Sequence, residues 1–425
     1  MEYQAVKGMR DLYPEEMRVI TWMMDAWRRV SLRNGFEEYE APIFEYLDLF
    51  TAKSGDEIVS QLFSLEDRGG RKLAVRPEIT PTLARMINAK INSLPRPIKW
   101  FSMPRVCRAE NPQKGRLREF FQWNVDIIGS DDVLADAECI FVAVDFLREV
   151  GLSPADVQVR IGSRPLAAAA LAAAGVAPEH QPAVLAVLDK RPKISPAEFD
   201  ALAARAGLSP EQSAAICRFQ DAASPADVLT LLGDSVAEPV AKLHNLLARL
   251  AAMGIADYCT LDLRVVRGLA YYTGIVYEVF DAGANLRALA GGGRYDNLLE
   301  VLGGPKVGAC GFGMGDVVLG ILLQEKGRLP RSLAAGSVDY YVIDGAENLT
   351  DNMLKVVGEL RRLGLAVDFS YKRQNTGKQL KSATARNAQK ALIILNDETV
   401  AIKDLATGEQ TETTWEKFLT GIKGL

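Results

Sequence analysis

At 425 residues the chain has room for two to four domains, and its 48% hydrophobic and 24% charged content is that of a globular protein with ordinary cores. A net charge of −4 excludes an indiscriminate polycation, so any nucleic-acid partner must meet locally clustered basic groups. Five dispersed cysteines without a CxxC pair read as reduced, mostly buried thiols, and with only His180 and His244 as imidazoles a zinc site or a histidine-based triad is disfavoured.

The chain opens on MEYQAVKGMRDLYPEEM, with charges where a signal peptide has its apolar stretch, and no later segment approaches membrane-spanning length. A cytoplasmic protein without a membrane partner is expected. Glu15 to Asn34 repeats apolar residues at helical spacing and stops at Gly35; Phe36 to Glu45 is extended, with Pro42 suited to an edge or interface. Gln61 to Leu65, a Gly69-Gly70 turn and Leu73 to Arg76 read as a hairpin. Arg76-Pro77-Glu78-Ile79-Thr80-Pro81-Thr82 then sets a carboxylate between two prolines ahead of a helical run, Leu83 to Ile91, which Thr80 can cap.

Ile98 to Arg108 and Arg116 to Asp126 form a predicted antiparallel hairpin across the turn signals of Glu110 to Gly115. Alternation from Arg116 puts Arg116, Arg118, Phe120, Gln122, Asn124 and Asp126 on one face and Leu117, Phe121, Trp123 and Val125 on the other. The first face combines guanidinium groups for phosphate, a ring for a planar base, and an amide with a carboxylate for a small polar ligand. A helix, Ala135 to Val150, and a strand, Val157 to Ile161, follow. Strands joined by short turns favour an α+β domain, a mainly antiparallel sheet flanked by helices.

From about 176 to 240 the chain becomes alanine-rich, with Ser195-Pro196, Ser209-Pro210 and Ser224-Pro225 each starting a capped helix; this is a small all-helical insertion that contains His180. A further helix, Pro239 to Met253, precedes β pattern from Leu261 to Phe280. Three glycine-bearing segments, at 266–274, 291–296 and 308–315, read as turns or tight packing after strands, where backbone approaches a small ligand. Residues 326–337 form a linker. Beyond it strands and helices alternate regularly over 338–425, a separate α/β domain with a largely parallel sheet. Lys372, Arg373, Lys378, Lys381 and Arg386 gather on and around its second helix, as either a solvated face or an RNA contact surface.

No GxxxxGK[ST] loop is present, so a bound nucleotide must be held by other means. At this point the chain resembles the class II aminoacyl-tRNA synthetases, and among them the histidyl-tRNA synthetase family. KGMRDLYPEE, RPEIT, RAENPQKGRLREFFQ, RGLAYYTG and GGGRYD carry the resemblance over nearly the whole chain, the last two being the most discriminating. It implies a catalytic domain over 1–325 interrupted by the insertion, an anticodon-binding domain over 338–425, and a homodimer built through the segment ending at Pro42. It assigns Glu78, Thr80, Gln122, Asp126, Arg267, Tyr271, Tyr272 and Tyr295 to histidine, and Arg108, Glu110, Arg116 and Phe120 to ATP. Arg108 and Arg267 would be catalytic, and magnesium would accompany ATP without a protein ligand set of its own.

The pattern is broken in three places. Ala270 stands where relatives commonly have Asp, Asn111 where some have a basic residue, and Asp316-Val317-Val318 where the third motif has a Glu-Arg pair. The last removes an arginine that contacts ATP, leaving its distal phosphates to Arg116 or another basic residue. A rival reading is a non-catalytic histidine sensor resembling the regulatory subunit of ATP phosphoribosyltransferase, which generally lacks the C-terminal domain; a tRNA-binding scaffold with a decayed site is a third.

Overall fold

The computed structural model describes residues 3–51, 61–188, 190–191, 194–266, 271–283, 285–330, 333, 338–345, 349–372 and 374–423. They fall into two compact units, Met1–Arg328 and Leu329–Leu425.

In the larger unit, Pro14–Arg33 forms a helix with Pro14 in its first turn, and Ile20, Met23, Trp27 and Val30 on its buried stripe. It stops at Asn34, where Gly35 takes a φ of +75°. The chain after it splits into two short strands, β1 (Glu37–Glu38) and β2 (Phe44–Tyr46). β2 joins a small sheet with β3 (Phe63–Glu66) and β4 (Lys72–Val75), the predicted hairpin. Thr80 does not cap the next helix: it is the first residue of Thr80–Asn88, with Ile79 at the cap position and no side-chain cap bond.

Among the described residues nine strands form the main sheet. These are β1, β5 (Ile98–Ser102), β6 (Arg105–Cys107), β7 (Glu119–Ile128), β8 (Val157–Ser163), β9 (Cys259–Leu261), β10 (Ile275–Asp281), β11 (Ala290–Arg294) and β12 (Ala309–Gly315). Their order is β1-β5-β7-β12-β11-β10-β8-β9, with β6 pairing β7 off that path, and only β1–β5 and β8–β9 are parallel. β7 starts at Glu119, later than the alternation from Arg116 predicts, because Arg116 is already used in a tight bridge with Gln113 and the Arg118 N–H donates to Gly8 O (2.8 Å).

The back of the sheet is dry. Trp123 stacks on Trp27 with ring centroids 6.0 Å apart and meets Phe146 of helix Val133–Glu149 at 5.4 Å; its indole N–H donates to Ser31 Oγ at 2.9 Å. Burying such a ring stabilises the fold by about 2–3 kcal/mol and locks β7 so that Phe120, Gln122, Asn124 and Asp126 face the other way.

Among the described residues six α-helices, from Arg164–Ala173 through Ala237–Ala252, run between β8 and β9, and Leu171, Val184, Phe199 and Ile216 share a core among them. Ser195 and Ser209 form full capping boxes, and Ser224 accepts from the Asp227 N–H. Each such cap contributes about 1 kcal/mol.

The smaller unit has a sheet ordered β14 (Val367–Phe369), β13 (Val338–Asp344), β15 (Ala388–Ile394), β16 (Thr399–Asp404), β17 (Gln410–Thr414). Its first three strands are parallel as predicted; β16 and β17 add an antiparallel half that the regular alternation did not anticipate. Alternate residues of β13 feed two cores, Val342 on one side and Tyr341 and Ile343 on the other.

Candidate functional site

A cavity of about 760 Å³ opens on the front of the main sheet. Its floor follows from register. Asn124 of β7 lies beside Gly313, which lies beside Gly291, then Glu278, then Arg160, a row crossing five strands. The next row begins Asp126, Gly311, Gly293. The glycine segments at 291–293 and 309–315 are therefore strand interiors rather than turns, and the reason is steric. A Cβ on Gly311 would stand 2.5 Å from Asp126 Oδ1, and one on Gly313 2.8 Å from Gln122 Nε2. The floor is bare so that β7's polar side chains can lie across it.

At the inner end, Asp126 is buried and accepts a hydrogen bond from the Tyr295 hydroxyl, while its Oδ2 has no hydrogen-bond partner among the described residues. The Tyr271 hydroxyl donates to Glu78 Oε2 at 2.8 Å. Tyr271, Tyr272 and Tyr295 form a cluster with ring centroids 5.0–6.4 Å apart, and Thr80 is buried beside them. Burial pushes the Asp126 carboxyl up to about 7; the Tyr295 hydrogen bond opposes the shift and the charge of Glu78 adds to it. A buried carboxylate oxygen with no donor costs about 1–3 kcal/mol, so this end is built for a ligand that brings an N–H.

At the outer end the Arg108 guanidinium is fixed by a 3.0 Å bond from Nε to Pro77 O and lies 5.3 Å from the centroid of Phe120. Arg116 is ion-paired with Glu110, side by side. Val317 and Val318 contribute apolar wall, and Asp316 is turned away: it accepts from the Phe121 N–H at 2.9 Å and pairs with Arg10. Burial pushes the Asp316 carboxyl up against the pull of Arg10.

The structure thus brings Glu78, Thr80, Gln122, Asp126, Tyr271, Tyr272, Tyr295, Arg108, Glu110, Arg116 and Phe120 to one cavity. Arg118 shares the predicted strand face but not the site: its side chain donates to Glu110 O (2.9 Å) and Lys7 O (3.2 Å), bracing the N-terminal segment. Arg267, Ala270 and Arg373 lie outside the described residues. Arg160, Glu278, Phe280 and Arg287 also line the cavity and were missed; the alternation of β10 marks Glu278 and Phe280 as sharing a face, but nothing local says which way that face looks.

Two buried arginines act as supports. Arg294 pairs with Asp136 and with the carbonyls of Ser130 (2.9 Å) and Asp132 (3.0 Å), so the arginine of GGGRYD anchors β11 from behind. Arg76 ties Glu40 (2.6 Å) and Ala41 O (2.7 Å) to the base of the Glu78 segment.

In the smaller unit Lys372, Lys378 and Lys381 are exposed, with Lys378 and Lys381 on one face of helix Thr376–Ala385. Arg386 is ion-paired with Asp368 at 2.9 Å. No group of three or more His, Cys, Asp or Glu able to hold a metal exists among the described residues. All five cysteines are free; Cys139 and Cys310 are buried with their Sγ atoms 3.8 Å apart, and the other three are half-buried, so "mostly buried" overstated them. No helix among the described residues is long and apolar enough to cross a membrane.

A family model described as histidyl-tRNA synthetase matches residues 8–315, and one described as anticodon binding domain matches residues 335–425. The chain is 41% identical to the histidine–tRNA ligase of Opitutus terrae over 99% of its own length and 98% of the relative's. It is 38% identical to that of Natronomonas pharaonis over 98% and 97%. A crystal structure of histidyl-tRNA synthetase from a Nostoc species matches all of this chain and 99% of that one, with a TM-score of 0.82 at 26% identity.

Proposed function

The chain belongs to the histidyl-tRNA synthetase family, and from that premise we infer that it activates L-histidine with ATP and transfers the histidyl group to the 3′ end of tRNA(His). The observation that carries this reading is the two-ended cavity. One end holds buried carboxyls, each bonded to a tyrosine hydroxyl; the other pairs a fixed guanidinium with a ring.

In the first step a carboxylate oxygen of histidine attacks the α-phosphorus of ATP and pyrophosphate leaves. In the second, a hydroxyl of the terminal ribose takes the acyl carbon and AMP leaves. The nucleophile of the first step arrives already charged, so the protein's task is to align it and to stabilise charge at phosphorus. Asp126 Oδ2 accepts from one imidazole N–H and Tyr272 attends the other nitrogen. Glu78, held by Tyr271, takes the α-amino group together with Gln122, while Thr80 closes that wall. Phe120 supports adenine, Arg108 meets the α-phosphate, and Arg116 with Glu110 flanks the nucleotide. Arg267 is assigned to the histidine carboxylate and the developing phosphorane charge.

Magnesium would accompany ATP as its counter-ion. The donor set fits that role: Glu110 and Glu278 line the cavity without forming a metal cluster, and a hard cation is served by phosphate and water oxygens plus one or two carboxylates. Residues 1–325 form the catalytic domain around the 176–240 insertion, and 338–425, after the 326–337 linker, read the anticodon through Lys372, Arg373, Lys378, Lys381 and Arg386. The working form is a cytoplasmic homodimer joined through the segment at Pro42.

Histidine-dependent exchange of labelled pyrophosphate into ATP tests the reading. Exchange is expected; its absence in well-folded protein would leave a histidine sensor or a tRNA-binding scaffold instead. The C-terminal match and the Arg108–Phe120 pair favour the enzyme over both.

A further inference from the structure

We propose that Arg287 holds the distal phosphates of ATP, standing in from the segment before β11 for the arginine absent at Val317. The assignment deepens the activity inferred above and rests on it.

Four described arginines line the cavity: Arg108, Arg116, Arg160 and Arg287. Three are committed. Arg108 is bonded to Pro77 O, Arg116 is paired with Glu110, and Arg160 lies 4.7 Å from the Phe280 ring centroid, opposite Glu278 across the strand pair. Arg287 is exposed and has no hydrogen-bond or ion-pair partner among the described residues. Arg116 is the poorer candidate for the distal phosphates, because binding them would mean sharing or giving up Glu110.

Placement points the same way. The Gly315 N–H donates to Leu289 O at 3.2 Å, so the segment before β11 runs beside the junction where β12 becomes helix Asp316–Glu325. Arg287 is two residues out from Leu289, and Val317 is two residues out from Gly315. Both line the same cavity. The segment is held at both ends. The buried Asp281 carboxylate accepts from the N–H groups of Asn285 (3.0 Å) and Leu286 (2.9 Å), and the Leu289 N–H donates to Val279 O (2.7 Å). A guanidinium on a held segment, with no anionic partner among the described residues, suits a polyphosphate, which presents several oxygens to a planar donor. Val317 and Val318 offer that end apolar surface alone.

The test compares the wild-type chain with Arg287→Ala and with Arg287→Ala combined with Val317→Arg. Arg287→Ala is expected to raise the KM for ATP in pyrophosphate exchange by about tenfold or more, the loss of one charge-assisted contact. The KM for histidine and the inhibition constant of AMP, which lacks the distal phosphates, stay unchanged. The double variant recovers most of the ATP affinity. An ATP KM within about twofold of wild type, or an equal weakening of AMP, overturns the assignment. If the wild-type chain shows no exchange, the activity reading falls, and calorimetric titration of ATP into the same three proteins still decides Arg287: equal affinities overturn it.

Discussion

The two ends of the cavity are built on different principles. The inner end is buried in the sheet's front core, where strand residue Asp126 and the loop residue Glu78 meet tyrosine hydroxyls from far along the chain: Glu78 with Tyr271, Asp126 with Tyr295. The outer end is made of more exposed charges on connecting segments, arranged as Arg116 with Glu110 and an Arg287 that has no partner among the described residues. A small neutral side chain must be told from others of its size, which takes dry, pre-formed hydrogen-bond partners. A polyphosphate is distinctive by charge alone, and charge acts from a wetter and more replaceable frame. The missing third-motif arginine therefore falls at the end that tolerates relocation.

The contrast can be broken by variants at each end. Asp126→Asn should be the most damaging, lowering kcat/KM for histidine by about 10³-fold or more while ATP binding holds, since a buried acceptor becomes a mismatched amide. Steady-state exchange kinetics at varied histidine check this. Arg108→Ala should lower kcat by about 10²-fold with little change in the KM for histidine, as expected of a donor aimed at the reacting phosphate. Single-turnover adenylate formation reads that step. Tyr271→Phe removes one hydroxyl from Glu78 and should raise the KM for histidine about tenfold, with kcat nearly intact. Arg116→Ala should change the KM for ATP less than Arg287→Ala does; the reverse order would make Arg116 the substitute.

The smallest effect is on stability. Asp126 titrates near 7 in the folded chain and near 4 when unfolded, so between those values the folded state holds the extra proton. Raising pH then removes stability, and the melting temperature of the ligand-free protein should fall from pH 5 to pH 7.5 and level off above. In Asp126→Asn this component of the slope should vanish; an unchanged profile would mean that Asp126 does not carry the extra proton.

Much of this was legible in the sequence where periodicity governs. The alternation from Phe120 to Asp126 gave the site its face because Trp123 and Val125 leave no other burial choice. The same alternation misled at Arg118, since a chain that keeps an extended rhythm can still turn aside to a distant partner, here Gly8 and Lys7. Gly291 to Gly293, Gly311 and Gly313 are left between turn, tight packing and ligand approach in the sequence because what decides it, the width of a neighbour's side chain, belongs to the next strand. The Tyr271–Glu78 bond joins residues 193 apart, beyond any local pattern. The family resemblance brings those two segments to one site.

The bare floor has a consequence for redesign. Nothing in the amino-acid alphabet is smaller than glycine, so change at Gly311 and Gly313 runs in one direction and can only fill the cavity. Room for a bulkier histidine analogue must come from trimming the walls, with the tyrosine cluster the first place to cut.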